Sequence, residues 1–163
     1  MNSEYTVSII IPSYNSEKTI RNCLDKISEE SKKLKSEIIV VDDCSTDKTV
    51  EVIKTFEHIK LIKLENNLGA GNARNKGAEV AIYENLCFID SDINISEGSI
   101  LNLIQRLKKD SSTGSVAAIP DITNLNKKSW SSNFVGLKSC YGFDDLKGEK
   151  EFSVCTSEFC AIS

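Results

Sequence analysis

Along the chain, short apolar runs alternate with stretches whose apolar positions recur every three or four residues. VSIII (Val7 to Ile11) is a largely β-branched run that stops at Pro12. Apolar character held over so few residues marks a strand buried on both faces. EIIVVDD (Glu37 to Asp43), IKLIKL (Ile59 to Leu64), LCFID (Leu86 to Asp90) and SVAAIP (Ser115 to Pro120) repeat it. Between the first two runs, Ile20, Cys23, Leu24 and Ile27 fall at helical spacing, with Asn15 or Ser16 as the expected N-cap. STDKTVEVIKTF opens on capping residues and sets Val50 and Ile53 on one face. NNLGAGNARNKGAEVAIY reads as a turn followed by a helix. SEGSILNLIQRLKK reads as a helix with Ile100, Leu101, Ile104 and Leu107 inward. Strands alternating with helices predict a three-layer α/β/α domain around a mostly parallel, Rossmann-like sheet with right-handed crossovers. From Asp121 the rhythm breaks. TNLNKKSWSSN is polar and loop-like, and FSVCTSEFCAIS supplies a strand or two. The expected organisation is an α/β core over residues 1–120 and a second region over 121–163.

Composition narrows the picture. A chain of 163 residues defaults to one domain, and its 40% hydrophobic and 27% charged content is that of an ordinary globule. The net charge of -4 and the scatter of basic residues argue against a nucleic-acid partner. Six cysteines contain no CxxC pair, and His58 stands alone, so a zinc site is not expected. Cys23 and Cys87 sit in apolar patterns as small buried hydrophobes. The start, MNSEYTVSIIIPSYN, has no signal-peptide character, and no apolar run approaches a membrane span. Reduced thiols and a cytoplasmic location are the expectation.

Chemistry gathers where the strands end. In an open parallel sheet, ligands bind outside the carboxyl ends of the strands. Those ends read PSYN, DDCSTD, ENNLGAGNARN and DSD. In an extended stretch Asp90 and Asp92 share a side. Two carboxylates held close repel, and a hard divalent cation relieves that repulsion, so Mg²⁺ or Mn²⁺ is expected together with phosphate oxygens. The alternative is a solvated turn with Asp92 or Asn94 as a cap. Asp42 and Asp43 end a buried strand at the same crevice, where an acidic group commonly bonds a ribose or base edge. Ser45, Thr46 and Asp47 suit the N-cap of the next helix. Gly69-Ala70-Gly71 lacks full dinucleotide spacing, but it lets backbone approach an anion at a helix N-terminus, with Arg74 one turn in. Gly77 fits close packing of helix on sheet. Tyr14 is placed to stack on a base or to stand at the surface without a partner.

Taken in order, VSIIIPSYN, IIVVDDCSTDKT, NNLGAGNARNKG and CFIDSDI resemble the motifs of the family 2 glycosyltransferases, which have the GT-A fold. The resemblance covers about the first hundred residues. It implies that Pro12 and Tyr14 flank a uracil, that Asp43 accepts from its ring N–H, and that Asp42 supports Asp43. It places Arg74 near the diphosphate, Asp90 near the ribose and Asp92 on a metal, Mn²⁺ or Mg²⁺. The implied activity is transfer of a sugar, with inversion, from a nucleotide-sugar donor, favoured as UDP-linked, to a saccharide or lipid-linked acceptor in polysaccharide or glycolipid synthesis. The implied setting is the cytoplasm or the cytoplasmic face of a membrane.

One part of the family pattern has no counterpart. The family's catalytic base lies in an acidic ED-type motif after an acceptor-side strand. SEFCAIS resembles that strand, and no ED pair follows it. Glu158 and Asp145 are the remaining weak candidates for the base, with Asp144 beside them. The expectation is a domain incomplete at its C-terminus that binds donor and transfers poorly, its last strand favouring a homodimer or a mobile terminus. Two other classes compete. A phosphoacceptor receiver domain shares the acid pair Asp42-Asp43 and the later Asp90, but AAIPD supplies no lysine where a receiver needs one. A binding-only module would hold a nucleotide and transfer nothing.

Overall fold

The computed structural model describes residues 2–109, 115–117 and 159–162. Asp144, Asp145 and Glu158 lie outside the described residues, as do Cys140, Cys155 and the TNLNKKSWSSN stretch. The elements are β1 (Asn2–Ser13), α1 (Ile20–Ser31), β2 (Leu34–Asp42), α2 (Thr49–Ile53), β3 (Lys60–Lys63), α3 (Ala70–Glu79), β4 (Leu86–Ile89), α4 (Ser99–Lys109), β5 (Ser115–Ala117) and β6 (Phe159–Ile162). They build one six-stranded sheet in the order β3-β2-β1-β4-β6-β5. β1 pairs in parallel with β2 and β4, and β2 pairs in parallel with β3. The parallel core expected from the alternating pattern is therefore present. The expected fifth strand is present as β5, but it does not lie next to β4. β6 lies between the two and runs antiparallel to both. Local pattern cannot reveal such an insertion, because it is decided by a segment more than forty residues further along the chain.

The strands are buried because both sheet faces are covered. Val7, Ile9 and Ile11 point to the face that packs Cys23, Leu24 and Ile27 of α1, Ile53 of α2 and Ile100, Ile104 and Leu107 of α4. Ile10, Ile39 and Val41 point to the other face, under Ala73 of α3. Period-two alternation inside a wholly apolar run thus feeds two cores at once. Gly77 lets α3 come close: a Cβ there would stand 2.3 Å from Ile10 Cγ2. In α4 it is Leu103, not Leu101, that is buried alongside Ile100, Ile104 and Leu107, with Leu101 at the flank of the same core. Pro12 does not stop β1. It pairs in register with Val41, and the pairing with β4 has already ended at Ile10, so the missing N–H costs no ladder bond on that side.

Candidate active site

At the carboxyl ends of β1, β2 and β4 the loops enclose a cleft of about 400 Å³. β1 and the turn after it contribute Pro12, Ser13, Tyr14, Asn15, Ser16 and Thr19 to its lining; Asp43 comes from the end of β2, Ala70 from the start of α3, and Asp90, Ser91 and Asp92 from the end of β4. Tyr14 is 48% exposed, so its ring presents a face to solvent at the mouth. Of the residues singled out from sequence, Pro12, Tyr14, Asp43, Asp90 and Asp92 line this cleft directly. Asp42 and Arg74 stand behind it.

The second rank has defined contacts. Asp42 is fully buried; one carboxylate oxygen accepts from Ser45 N–H at 3.2 Å, and the other has no partner. Asp43 is 2% exposed, and its two oxygens accept from Leu68 N–H (2.8 Å) and Gly69 N–H (2.7 Å). It therefore clamps the glycine turn to the end of β2. Gly69 has φ 87, a left-handed value that glycine adopts without a steric cost. Arg74 donates to Asp90 Oδ1 across the gap between α3 and β4. Burial pushes the Asp90 carboxyl above its ordinary range and the neighbouring Asp92 charge adds to this, while the Arg74 guanidinium pulls the other way. No cluster of three or more His, Cys, Asp or Glu that could hold a metal by itself occurs among the described residues. Asp90 and Asp92 supply two hard oxygen donors on one cleft wall. That suits a Mg²⁺- or Mn²⁺-like cation completed by phosphate oxygens and water, rather than an all-protein cage.

The first two loops are stitched together reciprocally. Asn15 N–H donates to Ser45 Oγ, and Thr46 N–H donates back to Asn15 Oδ1. Glu17 N–H donates to Asp47 Oδ2, and Lys48 N–H donates back to Glu17 Oε2. Ser16 N–H reaches Thr49 Oγ1, which itself donates to Asp47 Oδ1. Asp47 therefore serves the start of α2, as its residue type suggested. Asn15 and Ser16 do not act as side-chain caps of α1. The helix instead begins with the Ser16 carbonyl accepting from Ile20 N–H, leaving both side chains free to bridge between loops. Asn15 (φ 48) and Cys44 (φ 65) both hold left-handed backbone, which asparagine tolerates better than cysteine. Sequence singled out Ser16 only as a helix cap and Ser91 not at all, yet their hydroxyls meet at 2.7 Å; the only local hint was the position of Ser91 between two acids.

An open α/β sheet with an acidic, aromatic-edged cleft at its carboxyl ends is the architecture of a nucleotide-binding domain. The sequence matches the description Glycosyl transferase family 2 over residues 8–163, so the chain belongs to that family. It is 37% identical over 98 residues to the poly(ribitol-phosphate) β-N-acetylglucosaminyltransferase TarS of Staphylococcus aureus, covering 57% of this chain and 17% of that protein. It is 32% identical over 121 residues to the poly-β-1,6-N-acetyl-D-glucosamine synthase of Staphylococcus epidermidis, covering 72% of this chain and 29% of that protein. The chain thus spans less than a third of either relative. Among solved structures it is similar to S. aureus TarS 1–349 in complex with UDP, with TM-score 0.61 and 26% identity over 78% of this chain and 40% of the other. It also shares its fold with a mannosyltransferase from Pyrobaculum calidifontis in complex with GDP-Man and Mn²⁺, with TM-score 0.71 and 22% identity over 98% of this chain and 45% of the other. The fold is GT-A.

Proposed function

We propose that this chain is the donor-binding part of an inverting glycosyltransferase that takes a nucleotide-sugar, UDP-linked in preference, together with Mn²⁺ or Mg²⁺. The observation that carries this reading is the meeting of Pro12, Tyr14, Asp43, Asp90 and Asp92 in one cleft from three strand ends. The TarS likeness, from a protein solved with UDP, supports the choice of nucleotide. In this reading Pro12 and the exposed Tyr14 ring sandwich the base. Asp43 accepts from the base N–H with lone pairs left over from its two backbone bonds, and Asp42 braces the turn behind it. Asp90, oriented by Arg74, meets the ribose, and Asp92 holds the cation. Arg74 stands close enough to lend positive charge toward the diphosphate. A bound cation would supply charge for the departing diphosphate. The acceptor is a saccharide or lipid-linked glycan of the cell surface, and Glu158 and Asp145 remain the proposed candidates for the base. A cytoplasmic setting agrees with the free thiols of Cys23, Cys44 and Cys87. Among the described residues no helix is long and apolar enough to cross a membrane.

The test is calorimetry of UDP binding with and without Mn²⁺. Wild type should bind more tightly with the cation, and Asp92→Asn should lose the enhancement while keeping base and ribose contacts. Equal affinity under all four conditions would remove the cation from the reading, and no UDP binding in wild type would remove the reading itself. Family membership already sets aside the receiver-domain alternative. A binding-only role is separated by assaying release of UDP from a UDP-sugar in the presence of acceptor.

A further inference from the structure

Two serines of the cleft lining join the loop after β1 to the loop after β4. Ser16 follows the base-side loop and Ser91 sits between the two acids, 75 positions apart in sequence, and their hydroxyl oxygens lie 2.7 Å apart. The Ser16 hydroxyl also lies 3.2 Å from the Tyr14 carbonyl oxygen, to which it donates. A serine hydroxyl has one hydrogen. With the Ser16 hydrogen given to Tyr14 C=O, the bond between the serines must be donated by Ser91. The result is a directed chain from Ser91 O–H to Ser16 O–H to Tyr14 C=O. Ser16 is itself fixed from below, since its N–H donates to Thr49 Oγ1 at 2.7 Å. At its first residue the acidic turn is held by Arg74 on Asp90 Oδ1 and by Cys23 Sγ, 3.6 Å from Asp90 C=O. Its one backbone closure is Ile93 N–H to Asp90 C=O at 3.0 Å, and the Asp92 side chain is exposed.

We infer that Ser16 and Ser91 form a latch that sets the distance between the aromatic end of the cleft and its acidic end, making both of them positioning residues for Asp92. The inference rests on the donor-binding reading above. A ligand that must touch Tyr14 and Asp92 together needs the two held at a fixed separation; Arg74 and Cys23 tie Asp90 to α3 and α1, while the Ser16–Ser91 bond ties the turn to the loop that carries Tyr14. Neither serine brings charge to the cleft, so the latch acts by pre-organisation rather than by attraction.

A double-mutant cycle on UDP affinity in the presence of Mn²⁺ tests it, using Ser16→Ala, Ser91→Ala, the double variant and Ser91→Thr. Each alanine removes the bond between the serines, and Ser16→Ala also removes the bond to Tyr14 C=O, so Ser91→Ala should weaken binding by about three- to tenfold, the usual span for one hydrogen bond, and Ser16→Ala by at least as much. The double variant should be no weaker than the weaker single, and threonine, which keeps the hydroxyl, should restore most of the affinity. Independent losses that multiply in the double variant would mean two separate ligand contacts and would overturn the latch; unchanged affinity in the single variants would do the same. Hydrogen exchange in the ligand-free protein gives a second readout. Ser16→Ala should speed exchange at the Ile93 amide although it lies on another loop, and an unchanged rate there also overturns the latch. Should wild type fail to bind UDP, the donor-binding reading falls and the exchange measurement alone decides the latch.

Discussion

Two glycines in one helix should respond in opposite directions to the same substitution. At Gly77 an added Cβ lands 2.3 Å from Ile10 Cγ2 and 3.4 Å from Ile10 Cβ and Cγ1. Ordinary contact begins at 3.4 Å, so α3 and β1 must part by about 1.1 Å there, or Ile10 must leave its rotamer. Ile10 is fully buried and paired on both sides, to Ile39 and to Phe88, which leaves it little room. Overpacking of this kind costs about 1–3 kcal/mol. Alanine in a helix returns about 1 kcal/mol through propensity, so Gly77→Ala should lose up to about 2 kcal/mol net. At Gly71 a Cβ meets nothing within 4 Å, and Gly71→Ala should gain about 0.5–1 kcal/mol. Urea unfolding of both variants measures the gap, expected near 2 kcal/mol. Ile10→Ala removes Cγ2, so it should cost less in the Gly77→Ala background than in wild type, with a coupling of about 1 kcal/mol. Equal stability of the two alanine variants, or strict additivity with Ile10→Ala, would refute the packing argument.

Other outcomes follow from single contacts. Cys44→Asn should raise the urea midpoint by the equivalent of about 1 kcal/mol, because φ 65 suits asparagine better than cysteine. Asp43→Ala should weaken UDP binding and also lower stability by about 2 kcal/mol, since it removes two charge-assisted bonds from a buried carboxylate to Leu68 N–H and Gly69 N–H; an unfolding midpoint equal to wild type would show that the clamp is dispensable. Tyr14→Ala should lower UDP affinity with no change in stability, because the ring is 48% exposed; normal affinity would place the base elsewhere. Brief alkylation of native protein followed by mass spectrometry should modify Cys44 well before Cys23 or Cys87. Burial pushes the Cys23 thiol up to about 12 and the Cys87 thiol higher still, so neither forms thiolate near neutral pH. Labelling of Cys23 at the rate of Cys44 would count against the packing of α1 on the sheet.

The parallel core was legible in sequence because each of β1 to β4 carries its own evidence. A wholly apolar run such as Ile9-Ile10-Ile11 is satisfied only by burial on both faces, and that requires helices above and below. The polar strand ends were legible for a related reason: Asp43, Asp90 and Asp92 are acids set directly after buried strands, at the sheet edge where ligands bind in open parallel sheets. What tertiary structure alone decided are relations between segments far apart in the chain. β6 entered antiparallel between β4 and β5 because sheet order depends on which long-range pairing wins, and no local periodicity encodes it. β1 runs on through Pro12 because its pairing with β4 has ended two residues earlier, at Ile10, a fact about β4 rather than about proline. Asp43 proved to be a clamp on a turn 25 residues away, and Ser16 met Ser91 across 75. Hydrogen bonds between loops depend on where the sheet delivers each strand end, so they exist only once the sheet has formed; hydrophobic period and residue type act within each segment and can be read before it does.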